Sequence, residues 1–146
     1  MKPFIPFIFI PILGVGTYYY LKKTGRFNYL RKRTLLISVF AFTLTEIGRS
    51  FYRPFIYANK VNDFFIADTI GNSLGTITAI FFLLTIVGKE NSKDFYLIFT
   101  VTVGLILYEG SNILFNYQVD INDIISTILF GFVSALIYWR LLKRKA

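Results

Sequence analysis

The stretch FFIADTIGNSLGTITAIFFLLTIV, residues 64–87, holds one charged side chain, Asp68, in 24 positions. A helix rises about 1.5 Å per residue, so a run of this length covers the roughly 30 Å hydrocarbon core of a bilayer. It therefore predicts a membrane-spanning helix entered close to an acid. Four further apolar runs flank it, at residues 3–21, 34–52, 95–115 and 121–139, with short polar turns between them. Tyr18, Tyr19 and Tyr20 close the first run, where amphipathic rings suit the membrane interface. A signal-peptide reading of that run is weaker, because no small-x-small site precedes Lys22 and Pro3, Pro6 and Pro11 crowd it.

The composition agrees. Of the 146 residues 55% are hydrophobic, and the mean hydropathy is +0.58, more apolar surface than a soluble fold of this size can hide. The formal charge is +8, yet the cations stand in blocks between apolar runs and form no stripe, so no nucleic-acid partner is expected. The chain has neither cysteine nor histidine, which removes disulfides, thiolate or imidazole metal sites and His-assisted nucleophiles; no cofactor or metal is expected. The fold class is thus all-α: a single integral membrane domain over residues 1–146, a polytopic bundle of about five transmembrane helices.

Counting cations orients the bundle. With the amino terminus outside, the inner segments hold Lys22, Lys23, Arg26, Arg31, Lys32, Arg33, Lys89, Lys93, Arg140, Lys143, Arg144 and Lys145, leaving Lys2, Arg49, Arg53 and Lys60 outside. The expectation is amino terminus out and carboxyl terminus in. On this reading the block from Lys22 to Arg33 is the ordinary solution to topology.

Ionisable residues inside spans cost about 2.5–3.5 kcal/mol each on insertion scales, so their positions carry information. Glu46, Arg49 and Arg53 recur at i, i+3, i+7, as do Glu109, Asn112 and Asn116, each near the outer end of a span. The helices that re-enter carry Asp68, Asn72 and Gly75, and Asp123, Thr127 and Gly131. This is an imperfect two-helix repeat, residues 34–87 and 94–139, in which a turn acid, Asp63 or Asp120, precedes each Asp-bearing helix. Both units run in the same sense, as in parallel transporter repeats. Gly71 and Gly75 form a GxxxG spacing that predicts close helix packing. Glu46, Asp68, Glu109 and Asp123 meet only Arg49 and Arg53 as nearby cations, so the candidate ligand-binding set is Glu46, Arg49, Arg53, Asp68, Asn72, Glu109, Asn112, Asp123 and Thr127.

These residues resemble the VanZ-like family of bacterial membrane proteins. The first unit matches in Glu46, Arg49, Arg53, Asp63 and the segment ADTIGNSLG (residues 67–75), the second in Tyr108, Glu109, Asn112, Asp120, Asp123, Ser126, Thr127 and Gly131. Two departures stand out: Asn112 where Gln is expected, and Gly131 one position late. The resemblance covers about two thirds of the chain. It implies a multi-pass protein of the bacterial cytoplasmic membrane from a family linked to low-level teicoplanin resistance, and it names no substrate. From the uncompensated acids the first expectation is a binding site for an envelope lipid, a cell-wall precursor or a cation. The alternatives are a carboxylate-based intramembrane enzyme on a lipid-linked substrate, and a small transporter or flippase-like protein.

Overall fold

The computed structural model describes residues 6–111 and 120–145, and among these every regular element is helical. The first helix, α1 (residues 6–23), changes pitch along its length. A 3₁₀ turn Pro6–Ile8 and an α turn Phe9–Pro11 lead into a π turn Ile12–Gly16 and an α segment Thr17–Lys23. Pro11, which has no N–H to donate, directly precedes the widened turn. Gly25 (φ +67°) ends the helix, and the Asn28 side chain starts the next by accepting the Arg31 N–H at 3.0 Å.

That next helix, α2 (Tyr29–Asn59), is longer at both ends than the apolar run 34–52. Its first turns absorb Arg31, Lys32 and Arg33, and its far end continues through Arg53 and Pro54. A π turn, Gly48–Tyr52, directly precedes the Arg53–Asn59 segment and takes up the ring of Pro54, which would otherwise collide with the carbonyl one turn back. Three more helices follow: α3 (Ile66–Val87), α4 (Asp94–Ser111) and α5 (Ile121–Lys145). Of the five, α2 to α5 are long and apolar enough to cross a membrane.

The two turn acids each bind a backbone N–H in the first turn of the helix that follows. Asp63 accepts the Ala67 N–H at 2.6 Å across Phe64 and Phe65, both at positive φ, and so starts α3. Asp120 accepts the Asn122 N–H at 2.8 Å and starts α5 with no such excursion. The two unlike phenylalanine-bearing and direct entries account for the unequal turn lengths of the repeat.

Neighbouring helices run antiparallel. Phe7 meets Phe51 (ring centroids 6.1 Å apart) and Gly14 faces Val39, which pairs α1 with α2, and Tyr18 stacks edge-on against Phe27 of the connecting loop (5.0 Å). The Thr85 and Thr34 hydroxyl oxygens lie 2.8 Å apart and Gly48 faces Ile70, pairing α2 with α3. Phe95 meets Tyr138 and Thr102 faces Gly131, pairing α4 with α5. The central helix is α3, which touches α2, α4 and α5.

Burial runs opposite to that of a soluble bundle. Thr34, Ser38, Thr45, Thr76, Thr85, Thr127 and Ser134 are buried together with Ile80, Phe81, Leu84 and Tyr138. Phe40, Phe99, Leu107, Leu129 and Phe132, all at mid-helix, face outward. Small hydroxyl residues let helices approach and satisfy themselves on their own backbone, as Thr45 does on Ala41 O (2.9 Å) and Thr85 on Phe81 O (2.7 Å). Outward apolar side chains on every face are stable in lipid and not in water.

Candidate functional site

Two polar clusters occupy opposite ends of the bundle. The first is where α2 ends and α3 and α5 begin. Arg53 lies 3.6 Å from Asp68 (Nη2 to Oδ1), and its Nε donates to the Tyr57 hydroxyl at 3.0 Å. Tyr57 in turn donates to Asp68. One turn deeper, Gly71, Asn72, Gly75 and Thr76 of α3, Leu105, Tyr108 and Glu109 of α4 and Thr127 of α5 line a cavity of about 180 Å³. The Asn72 side chain adjoins the carboxyls of both Glu109 and Asp123. Asp123 Oδ1 is buried and has no hydrogen-bond partner among the described residues.

The cavity exists because α3 carries glycines there. A Cβ on Gly75 would meet nothing within 4 Å, and one on Gly71 would come no closer than 3.8 Å to Arg49 Nε. The GxxxG spacing therefore opens a space and makes no tight helix contact, contrary to the packing expectation. Close packing falls instead on Gly131, whose Cβ would lie 2.6 Å from Thr102 Oγ1. The corresponding glycines of the repeat thus do different work, one opening the gap beside α4 and the other holding α5 against it.

Of the sequence-derived set, Asn72, Glu109 and Thr127 share the cavity, Asp123 adjoins it through Asn72, and Arg49 reaches its rim beside Gly71. Arg53 and Asp68 pair just above. Glu46 stands apart. It is 7% exposed, with no hydrogen bond or ion pair among the described residues, while Arg49 is exposed. The π turn between Glu46 and Arg53 breaks the 100° per residue phase on which the i, i+3, i+7 face depends. Asn112, with Asn116, lies outside the described residues. Of the other lining residues, Tyr108 precedes Glu109 in the second repeat unit, while Leu105 and Thr76 carry no sequence signal beyond ordinary apolar or hydroxyl positions.

The second cluster lies at the other end and was hidden in a basic block. Arg31 is 5% exposed: its Nε meets Glu90 Oε1 at 2.9 Å, Nη2 donates to Gly88 O at 2.7 Å, and Nη1 donates to Thr85 O. Asn28 Nδ2 also donates to Glu90, at 2.6 Å. Beside it, Asp94 accepts the backbone N–H groups of Lys89 and Glu90, each at 2.7 Å, and the Tyr138 hydroxyl at 2.5 Å. Arg31 is thereby removed from the topological block and becomes the clamp on the carbonyl end of α3. Its periodicity was the available signal, since Arg31, Thr34 and Ser38 share a helical face.

Two larger hollows, about 680 and 540 Å³, flank α1. Phe9, Ile12, Leu13, Phe42 and Phe82 line the first, and Ile10, Val15, Leu35, Leu36 and Val39 half of the second, so they offer acyl-chain surface and little chemistry. The polar cavity is the smaller and the more informative. Fold, surface and buried polar layer together define a polytopic α-helical membrane protein. Comparison with protein-family models, curated proteins and solved structures finds no match.

Proposed function

We propose that this is a VanZ-like protein of the bacterial cytoplasmic membrane, amino terminus out and carboxyl terminus in. In it, the polar cavity between α3, α4 and α5 binds the polar part of an envelope lipid or cell-wall precursor, or a cation. The observation that carries the reading is Asp123 Oδ1, a buried atom without a hydrogen-bond partner among the described residues, which lies behind Asn72, itself a lining residue of the cavity together with Glu109. A buried acceptor without a donor costs about 1–3 kcal/mol, and a ligand donor offsets that cost. The positive-inside distribution of cations supports the orientation, which puts this end in the outer leaflet. Binding, without turnover, is the activity that the residues support best.

The test is the set of envelope lipids and precursors that co-purify with the full chain, quantified by mass spectrometry. The Glu109→Gln/Asp123→Asn double variant, with helical content checked by circular dichroism, is expected to lose one class at least 10-fold. An unchanged lipid profile in a folded double variant would sink the proposal.

A further inference from the structure

We propose that the ligand of this cavity is a headgroup carrying a primary ammonium and a phosphate, the chemistry of an aminophospholipid; this rests on the binding reading above and narrows it. Four observations lead there. The first is size. At about 180 Å³ the cavity admits a few water-sized groups of about 30 Å³ each, enough for a small headgroup and far short of a disaccharide-peptide.

The second is access. Gly71 and Gly75 on α3 and Leu105 and Tyr108 on α4 line one side of the cavity. Tyr108 and its neighbour Leu107 are 68% and 67% exposed on the apolar outer surface. A ligand entering there comes along the lipid-facing flank, with its acyl chains left against that surface.

The third is the donor and acceptor balance. An ammonium offers three N–H donors and no acceptor. Around the cavity the Glu109 carboxyl, the Asn72 carbonyl and the Thr127 hydroxyl can accept, and Asp123 Oδ1 behind Asn72 is the acceptor that has none. Among the described residues no group of three Asp or Glu is placed to hold a metal ion, which favours an organic cation over a divalent metal. A quaternary ammonium has no N–H and relies on an aromatic cage, and among the described residues Tyr108 is the single ring lining the space.

The fourth is the rim. Arg53 is engaged by Asp68, but the exposed Arg49 runs past Gly71 at the cavity edge. A guanidinium there suits a phosphate a few bonds from the ammonium. The slot thus reads a zwitterion: acid and amide inside, arginine at the rim.

The experiment is native mass spectrometry of the full chain in detergent, titrated with phosphatidylethanolamine, phosphatidylcholine and phosphatidylglycerol of matched chains. Free O-phosphoethanolamine is added as competitor. Phosphatidylethanolamine is expected to bind at least 10-fold tighter than either other lipid, and that preference is expected to vanish in Glu109→Gln. The second variant, Gly75→Leu, fills the cavity without changing charge and is expected to lose the lipid too. Displacement by O-phosphoethanolamine supports the headgroup alone as the recognised unit, and failure to displace supports the intact lipid. Equal binding of phosphatidylethanolamine and phosphatidylcholine, or of phosphatidylethanolamine and phosphatidylglycerol, overturns the ammonium assignment and leaves the binding reading standing. No retention of any lipid or envelope precursor overturns both.

Discussion

Arg31 and Glu90 form a largely buried ion pair, Nε to Oε1 at 2.9 Å, at the end of the bundle opposite the half-exposed pair of Arg53 with Asp68. The two pairs differ in what surrounds them. Arg31 also binds the Gly88 and Thr85 carbonyls, so it satisfies the open end of α3 as well as Glu90. Removing Arg31 takes the guanidinium from both carbonyls as well as from Glu90, which keeps the Asn28 amide, and breaking a fully buried pair costs about 3–5 kcal/mol. Exposed pairs contribute about 0–1 kcal/mol. Arg31→Ala is therefore expected to lose several kcal/mol in denaturant titration of the micelle-bound protein. Arg53→Ala should lose less than about 1 kcal/mol, and Lys22→Ala should be silent. Equal losses from Arg31→Ala and Lys22→Ala would return Arg31 to the topological block.

Tyr138 and Asp94 tie α5 to the loop before α4. Asp94 keeps two backbone donors when the tyrosine hydroxyl is removed, so Tyr138→Phe should cost only about 1–3 kcal/mol, the range for losing a hydrogen bond to a charged group. Asp94→Ala should cost more, because it also strips the Lys89 and Glu90 N–H groups. In a double-mutant cycle the two changes should be non-additive. Strict additivity would mean that the hydroxyl and the carboxyl do not interact in the folded protein.

The apolar runs are legible in sequence because lipid forbids unpaired backbone and discourages charge, so every span announces itself by what it lacks. The spacing places Asn72, Glu109, Asp123 and Thr127 at one end of the bundle, while the choice of Arg53 over Arg49 as the partner of Asp68 is read only in the structure. Three further features escape the spacing. The π turn at Gly48–Tyr52 shifts helical phase, and so Glu46 is separated from the arginines with which it shares a sequence period. Arg31 looks like Lys32 and Arg33 by composition and differs only in the face it occupies. Gly75 and Gly131 are the same residue one position apart in their units, yet whether a glycine opens a space or closes one depends on the neighbouring helix.

That last contrast is testable by two alanines. A Cβ at Gly131 would stand 2.6 Å from Thr102 Oγ1 and 2.7 Å from its Cγ2, so Gly131→Ala must push α4 from α5, at about 1–3 kcal/mol. Thr102→Ala in the same chain removes both atoms and should recover most of the loss. At Gly75 the methyl enters open space, and alanine is the better helix former by about 1 kcal/mol. Gly75→Ala is expected to be neutral or stabilising in the same unfolding assay. A large loss there would mean that α3 packs through Gly75 after all.

Glu46 makes the sharpest case for function over stability. It is 7% exposed on α2 and has no partner among the described residues, where a carboxyl inside a span costs about 2.5–3.5 kcal/mol on insertion scales when charged. The neutral isostere removes that burden without changing shape. Glu46→Gln should hold or raise the unfolding free energy, by up to about 1–2 kcal/mol, and Glu46→Leu should not fall far below wild type. A loss above about 1 kcal/mol in Glu46→Gln would reveal a partner that needs the acid and end the argument. If the gain appears, the acid is kept at a cost in stability, and such costs are maintained at sites that act on something outside the fold. Lipid co-purification from Glu46→Gln then separates the two remaining roles: a profile like that of the Glu109→Gln/Asp123→Asn variant makes Glu46 part of the same binding system, and an unchanged one makes it independent.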